Sequence, residues 1–488
     1  MARRTSPSVA PAMSGARQTA SDKHFVRGLG LWDATAVVAG SMIGSGVFIV
    51  SADIARQVEA PAWLMGVWVL TGLLTVIGAL SYGELAAMMP HAGGQYVYLR
   101  EAFGPLVGFL YGWTLFLVIQ TGTIAAVAVA FAKFAAVLVP ELGATLHLGR
   151  LRIGAQQCLA IAIIAGLTGA NCNGLHTGRI VQNVFTVTKV GSLIVLVVFG
   201  LVFGRHAEAT RENLATFWGS GARTWAIVPL FGAAMVGALF SSDAWNNITF
   251  AAAEVRDPAR NVPLSLAIGT VSVTVLYLAA NVVYLAVLPL HGDATATAVF
   301  ARGIQFAASD RVATAVMEVM LGSAGAAVMA LGIMISTFGC ENGLILAGAR
   351  VYYAMARDGL FFSSAGLLNT RGVPAAALLF QGLWASLLTL SGTYADLLDY
   401  VIFAALLFYA LTVGGLFVLR RTQPTAPRPY RAVGYPWVPG VYVGLATLIM
   451  IDLLMVKPYY TWPGLIIVVS GVPVFRWWRA RTPSSSFA

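Results

Sequence analysis

The chain has 488 residues, of which 58% are hydrophobic and only 10% charged, with a formal net charge of +10. A soluble globular chain carries roughly 25% charged residues, so a soluble enzyme or scaffold is excluded. The basic excess does not describe a nucleic-acid surface, because the Lys and Arg residues sit in short gaps between apolar runs.

Cys158, Cys172 and Cys340 lie in or beside apolar runs without CxxC or metal-ligand spacing. The six histidines are scattered. No metal, cofactor or catalytic constellation is indicated, and no nucleic-acid partner is expected. The lipid bilayer is the expected surrounding, because the apolar runs are each about 20 residues long, enough to cross hydrocarbon.

Residues 1–28 are polar, lack an apolar core segment and read as a cytosolic, disordered tail rather than a signal peptide. Twelve spans are expected over 32–56, 62–88, 96–138, 154–171, 178–203, 225–252, 262–288, 313–357, 373–391, 396–419, 436–456 and 460–478. The third and eighth exceed one crossing, so they tilt or run on into a cytosolic helix. With both termini cytosolic, Lys and Arg favour the inner loops roughly two to one. The pattern divides into residues 29–203, residues 225–419, a Pro-rich cytosolic connector at 420–435, a final pair of spans over 436–478, and a tail at 479–488.

Two spans resist continuous helix. In the first, Gly40-Ser41-Met42-Ile43-Gly44-Ser45-Gly46 places three glycines in seven residues, each costing about 1 kcal/mol in a helix relative to Ala. Unwinding there would leave amide groups at the head of a half-helix, where a carboxylate fits. The same glycines would also suit close helix packing. In the sixth span, Phe240-Ser241-Ser242-Asp243-Ala244-Trp245-Asn246-Asn247 sets an Asp and several backbone-competing polar side chains in an apolar run. Paired interruptions in the corresponding spans of two halves point to a transporter's substrate site. Asp243 also leaves open a cationic amino acid or polyamine cargo.

Lys189 lies inside the fifth span, at a depth that argues against snorkelling, and its ammonium could occupy a place otherwise filled by sodium. Lys133 is read as snorkelling at a span end. Glu84 and Glu254 are expected to pair with loop arginines. Glu341 and Asn342 interrupt the eighth span beside Ser336 and Thr337, which leaves a proton-coupled role open for Glu341. A channel would show a repeated pore-lining motif and a sensor a sizeable soluble domain; neither is present.

Several motifs together resemble the amino acid–polyamine–organocation superfamily, and most closely its L-type amino acid transporter branch. They are Gly44-Ser45-Gly46-Val47-Phe48; Ser81-Tyr82-Gly83-Glu84-Leu85 with Gly93-Gly94-Gln95-Tyr96-Val97-Tyr98; the stretch from Val181 to Lys189; Trp245-Asn246-Asn247 with the stretch from Glu254 to Pro263; and the stretch from Ala349 to Gly359. The resemblance covers roughly residues 28–420.

It implies an all-α polytopic fold of five-plus-five inverted repeats with two accessory helices. It implies sodium-independent exchange of neutral amino acids in the plasma membrane of a prokaryote. The cargo carboxylate would meet the amides of Ser45 and Gly46. Its ammonium would meet carbonyls near Met42, Phe240 and Asp243. Ile43, Gly44, Ser241 and Ser242 would complete the site, with Phe240 as lid and Thr123 near the cargo side chain. Lys189 and Ser336 would stand in for a sodium site. Many relatives carry an aromatic and a glycine where this chain has Ser242 and Ala244. Eukaryotic members join a glycoprotein through a cysteine in the loop after the third span. Residues 139–153 hold none, so the chain is expected to work with no heavy subunit.

Overall fold

The computed structural model describes residues 27–148, 151–173, 175–219, 227–390 and 394–481. Most of the tail expected over 1–28, and residues 482–488 of the tail expected at the other end, lie outside them.

In hydrocarbon every peptide group needs a partner within its own segment, so apolar runs of this length become helices. Among the described residues, nine helices are long and apolar enough to cross a membrane, and Pro229–Ser241 and Ala375–Leu388 are shorter apolar helices. The fold is all-α and polytopic.

The first span is three pieces, α1 (Leu31–Met42), α2 (Gly46–Ile49) and α3 (Ser51–Val58). The next helix, α4 (Pro61–Met88), starts on a proline, whose missing N–H costs nothing in a first turn. The third segment, expected over 96–138 to tilt or to run on into a cytosolic helix, divides. Gly104 adopts φ 90° and Pro105 follows, which ends α5 (Gln95–Phe103) and starts α6 (Pro105–Thr114). A π-helical turn over Leu115–Ile119 joins α6 to α7 (Gln120–Leu138).

The loop beyond holds a short antiparallel hairpin, β1 (Thr145–Leu148) with β2 (Leu151–Gly154). Next come α8 (Ala155–Cys172), α9 (Leu175–Phe203) and a loop helix, α10 (Ala207–Ala215). The sixth span is α11 (Ile227–Ser241) and α12 (Asn247–Phe250).

α13 (Pro258–Val287) packs along α1 and α4. After the single turn α14 (Val299–Arg302) comes α15 (Val312–Arg357). It is broken at Gly322, where φ is 66°, and not at Glu341 or Asn342, which sit in regular helix. The expected interruption there is absent; Thr337, one turn earlier, donates its hydroxyl to the Ile333 carbonyl (2.9 Å) within the continuous helix. α16 (Ala375–Leu388), α17 (Tyr394–Thr422), α18 (Trp437–Val456) and α19 (Pro458–Arg481) complete the order.

The connector between α17 and α18 is tied down by Glu84. This carboxylate has no exposed surface. It accepts Arg420 at 2.9 and 2.6 Å and the Ala432 amide at 2.7 Å, and it pairs with Arg428 at 3.2 Å. Glu254 pairs with Arg350 at 2.9 Å, an arginine of α15 rather than of a loop.

Hydrogen bonds join segments distant in sequence at both ends of the bundle. At one, Gly28 and Leu29 donate to the Glu254 carbonyl (2.9 and 3.0 Å) and Arg256 donates back to Leu29 (2.8 Å). At the other, Arg56 pairs with Asp310 and donates to the Gln305 carbonyl, both at 2.7 Å.

Candidate transport site

The two helix breaks lie against each other in the middle of the bundle. At the first, Ile43 turns extended (φ −75°, ψ 91°) and helix resumes at Gly46. At the second, Ala244 takes the left-handed conformation, φ 62°, before α12. Their closest approach is Gly46 on Ser241: a Cβ at Gly46 would lie 2.7 Å from the Ser241 Cβ and 2.8 Å from its Cα. Only glycine fits that contact.

Breaking a helix leaves carbonyls without partners. At the first break side chains supply them, one after another. The Lys189 ammonium, with no exposed surface, donates to Gly40. Cys340 donates to Ser41 at 3.1 Å. The Tyr277 hydroxyl reaches Met42 at 3.0 Å. Ser336 donates to Ile43 and Gly44 at 3.3 and 3.2 Å. Met42 also accepts the Gly44 amide at 2.9 Å, so both its lone pairs are engaged in this conformation.

One cavity is lined by Ser41, Met42, Gly44, Ser45 and Gly46 of the first break, by Thr123 and Cys340, and by Phe240, Ser241 and Asp243. A neighbouring one runs from Thr123 past Gln120 and the π-helical turn to Asp243, Asn247 and Tyr409. Ser242 faces a third, which Asp243 also borders. Two buried polar atoms lining these cavities, Ser41 Oγ and Asn247 Nδ2, have no hydrogen-bond partner. Such atoms are costly when empty and mark places for a polar ligand.

The expected residues thus converge, with two exceptions. Ile43 is fully buried and contributes its carbonyl to Ser336. Ser242 lies on the far side of Asp243, toward α18.

Sequence reasoning missed the partners. The Asp243 carboxylate accepts the Tyr409 hydroxyl at 2.5 Å. A chain then runs from Asn246 to Gln95 (2.9 Å) and from Gln95 to Thr412 (3.1 Å), joining α5 and α17 to the second break. Tyr82 packs edge to face on both Trp245 and Tyr409, whose rings are tilted 34° to each other. Gln95 stood inside a quoted motif; Tyr409 and Tyr277 were tyrosines in apolar helices, which carry no distinctive signal.

Lipid-length helices, two of them broken side by side around polar cavities, make up a multi-pass membrane carrier. The chain belongs to the amino acid permease family, whose family model matches residues 29–474. It is similar to the large neutral amino acids transporter small subunit 2 of Mus musculus, 30% identical over 96% of this chain and 83% of the relative. It is likewise similar to the b(0,+)-type amino acid transporter 1 of Homo sapiens, 31% identical over 90% of this chain and 85% of the relative. It is therefore an amino acid transporter of L-type character.

One expectation is overturned. A relative named as a small subunit works within a larger assembly, which conflicts with the expectation of no heavy subunit. The absence of a cysteine in 139–153 removes only a disulfide; membrane subunits also associate by packing and hydrogen bonds.

Proposed function

We propose that the chain exchanges neutral L-amino acids across the plasma membrane without sodium, by alternating access to the space between the two breaks. The observation that carries this reading is the set of filled carbonyls at the first break. A sodium ion is held by oxygen ligands, and here Lys189 and Ser336 already occupy those of Gly40, Ile43 and Gly44. The cargo carboxylate is assigned to the head of α2, at Ser45 and Gly46, because the N-terminal end of a helix favours negative charge. The ammonium faces the second break at Phe240 and Asp243, with Thr123 beside the cargo side chain.

In this reading the chain has twelve spans, five in each of two inverted repeats (29–203 and 225–419) and two accessory, with cytosolic termini. The small-subunit name of the relatives supports a companion subunit, tested by co-purification from the native membrane.

The test of transport is counterflow in liposomes loaded with single amino acids, with and without sodium. Uptake of labelled alanine that requires internal alanine, serine or threonine and ignores sodium is expected. Uptake that ignores the load but follows a proton gradient would refute exchange.

Asp243 supports a second reading, a cationic cargo, since its carboxylate borders all three cavities described above. If that holds, Asp243→Asn abolishes arginine uptake and spares alanine; unchanged arginine uptake sinks it.

A further inference from the structure

Asn247 opens α12, and its backbone amide is taken by the Ala244 carbonyl at 3.1 Å. Its side chain is buried, only 2% exposed, and its Nδ2 meets no acceptor among the described residues. A buried amide nitrogen left unpaired is costly and calls for an explanation. Capping does not supply one, since no side chain caps α12. Asn247 lines the cavity that runs past Gln120 and Tyr409. Other side chains around that cavity donate into the protein itself. Thr123 donates to Ile119 at 2.7 Å, Gln120 to Leu344 at 2.8 Å, Asn246 to Gln95 at 2.9 Å and Tyr409 to Asp243 at 2.5 Å.

Gln120 commits its Nε2 to Leu344, and the oxygen of the same amide is an acceptor. Two helices, α7 and α12, thus bring an acceptor and a donor to one space. That space continues from the transport site. Thr123, Asp243 and Ala244 border both this cavity and the one at the first break. A side chain leaving an α-carbon held between the breaks therefore extends toward Gln120 and Asn247.

Resting on the reading that an amino acid lies between the breaks, we propose that Asn247 is a specificity-determining residue, and that the cargo it selects carries a carboxamide side chain, as asparagine and glutamine do. A primary amide holds one acceptor and two donors on a single planar group. Its oxygen accepts the Asn247 Nδ2, and its nitrogen donates to the Gln120 oxygen. An aliphatic side chain of the same size leaves both protein groups unpaired, and a site built to hydrogen-bond its cargo rejects such an analogue strongly. A carboxylate side chain has no proton for Gln120 and brings a second negative charge to Asp243. An ammonium has nothing to accept the Asn247 donor.

The experiment uses cargo pairs of matched size, asparagine with leucine and glutamine with methionine. Each unlabelled amino acid competes with labelled alanine in liposome counterflow, for the wild type and for Asn247→Leu, alongside melting midpoints. In at least one pair the wild type is expected to be half-inhibited by the carboxamide at a concentration about tenfold or more below that of its apolar partner. Asn247→Leu keeps the size of the side chain and removes its amide. It is expected to narrow that preference by about tenfold, while the melting midpoint holds or rises, because an unpaired buried polar group gives way to an apolar one. No preference in either pair for the wild type overturns the proposal. So does an unchanged preference in Asn247→Leu, with or without a fall in the midpoint. If Asn247→Leu is not recovered folded, Asn247→Ala, which also lacks the amide, takes its place. Failure of both to fold assigns the amide to folding and overturns the proposal. A wild type that moves no alanine overturns the functional reading and this proposal with it; a wild type that moves alanine without favouring a carboxamide overturns the proposal alone.

Discussion

Gly46→Ala is the most direct probe of the contact between the breaks. Its new Cβ would lie 2.8 Å from the Ser241 Cα, closer still to the Ser241 hydroxyl, and 2.7 Å from the Ser241 Cβ. Carbon atoms in contact prefer roughly 3.5–4.0 Å, so the breaks must part by about 1 Å. Overpacking of this kind costs about 1–3 kcal/mol. A misplacement of about 1 Å at a binding constellation costs up to about a hundredfold in rate. Both estimates place the fall in initial counterflow rate between about fivefold and about a hundredfold. Ser241→Gly removes two of the three clashing atoms, so Gly46→Ala with Ser241→Gly should recover much of the loss. The assay is initial alanine counterflow per folded transporter for the wild type, both single variants and the double. Gly46→Ala within about twofold of wild type, or a double variant no better than Gly46→Ala, would refute the reasoning, since independent sites simply add.

Three other outcomes follow from residues described above. Ala244→Gly removes a left-handed alanine; relief of about 1–2 kcal/mol exceeds the entropic penalty of about 0.5–1 kcal/mol for glycine, so the melting midpoint should rise, and a fall would contradict the strain. Glu84→Gln leaves Arg420 and Arg428 facing a neutral group, at a cost of about 3–5 kcal/mol, read as lower thermal stability in detergent. Lys189→Met strands the Gly40 carbonyl in an apolar setting, costing about 1–3 kcal/mol; alanine counterflow should drop, and wild-type rates would show that the ammonium is dispensable.

Much of the site was legible because it violates the rules of an apolar helix. Glycines at 40, 44 and 46, an Asp at 243 and a Lys at 189 are conspicuous in hydrocarbon, and the structure brings them together. The residues that hold them were not legible. A tyrosine in a span is ordinary, and nothing local says that the hydroxyl of Tyr277 or Tyr409 ends on a distant carbonyl or carboxylate. Glu341 shows the converse. A carboxylate in an apolar run looked like a third interruption, yet the backbone there is regular helix even with Gly339 and Gly343 on either side. The division at Gly104-Pro105 was written in the residues, where a glycine and a proline follow the charged pair Arg100-Glu101.

The contacts at the two ends of the bundle are built from different materials. Where Arg56 meets Asp310, the contact is between side chains, so single substitutions or a change of salt can retune it. Where Leu29 meets Glu254 and Arg256, the contact is peptide group to peptide group. Such a clasp is common to every sequence that can trace the same path, so substitutions can accumulate around it without altering its strength. Over evolutionary time the side-chain contact at one end is free to adapt to its surroundings, while the peptide contact at the other keeps a constant strength.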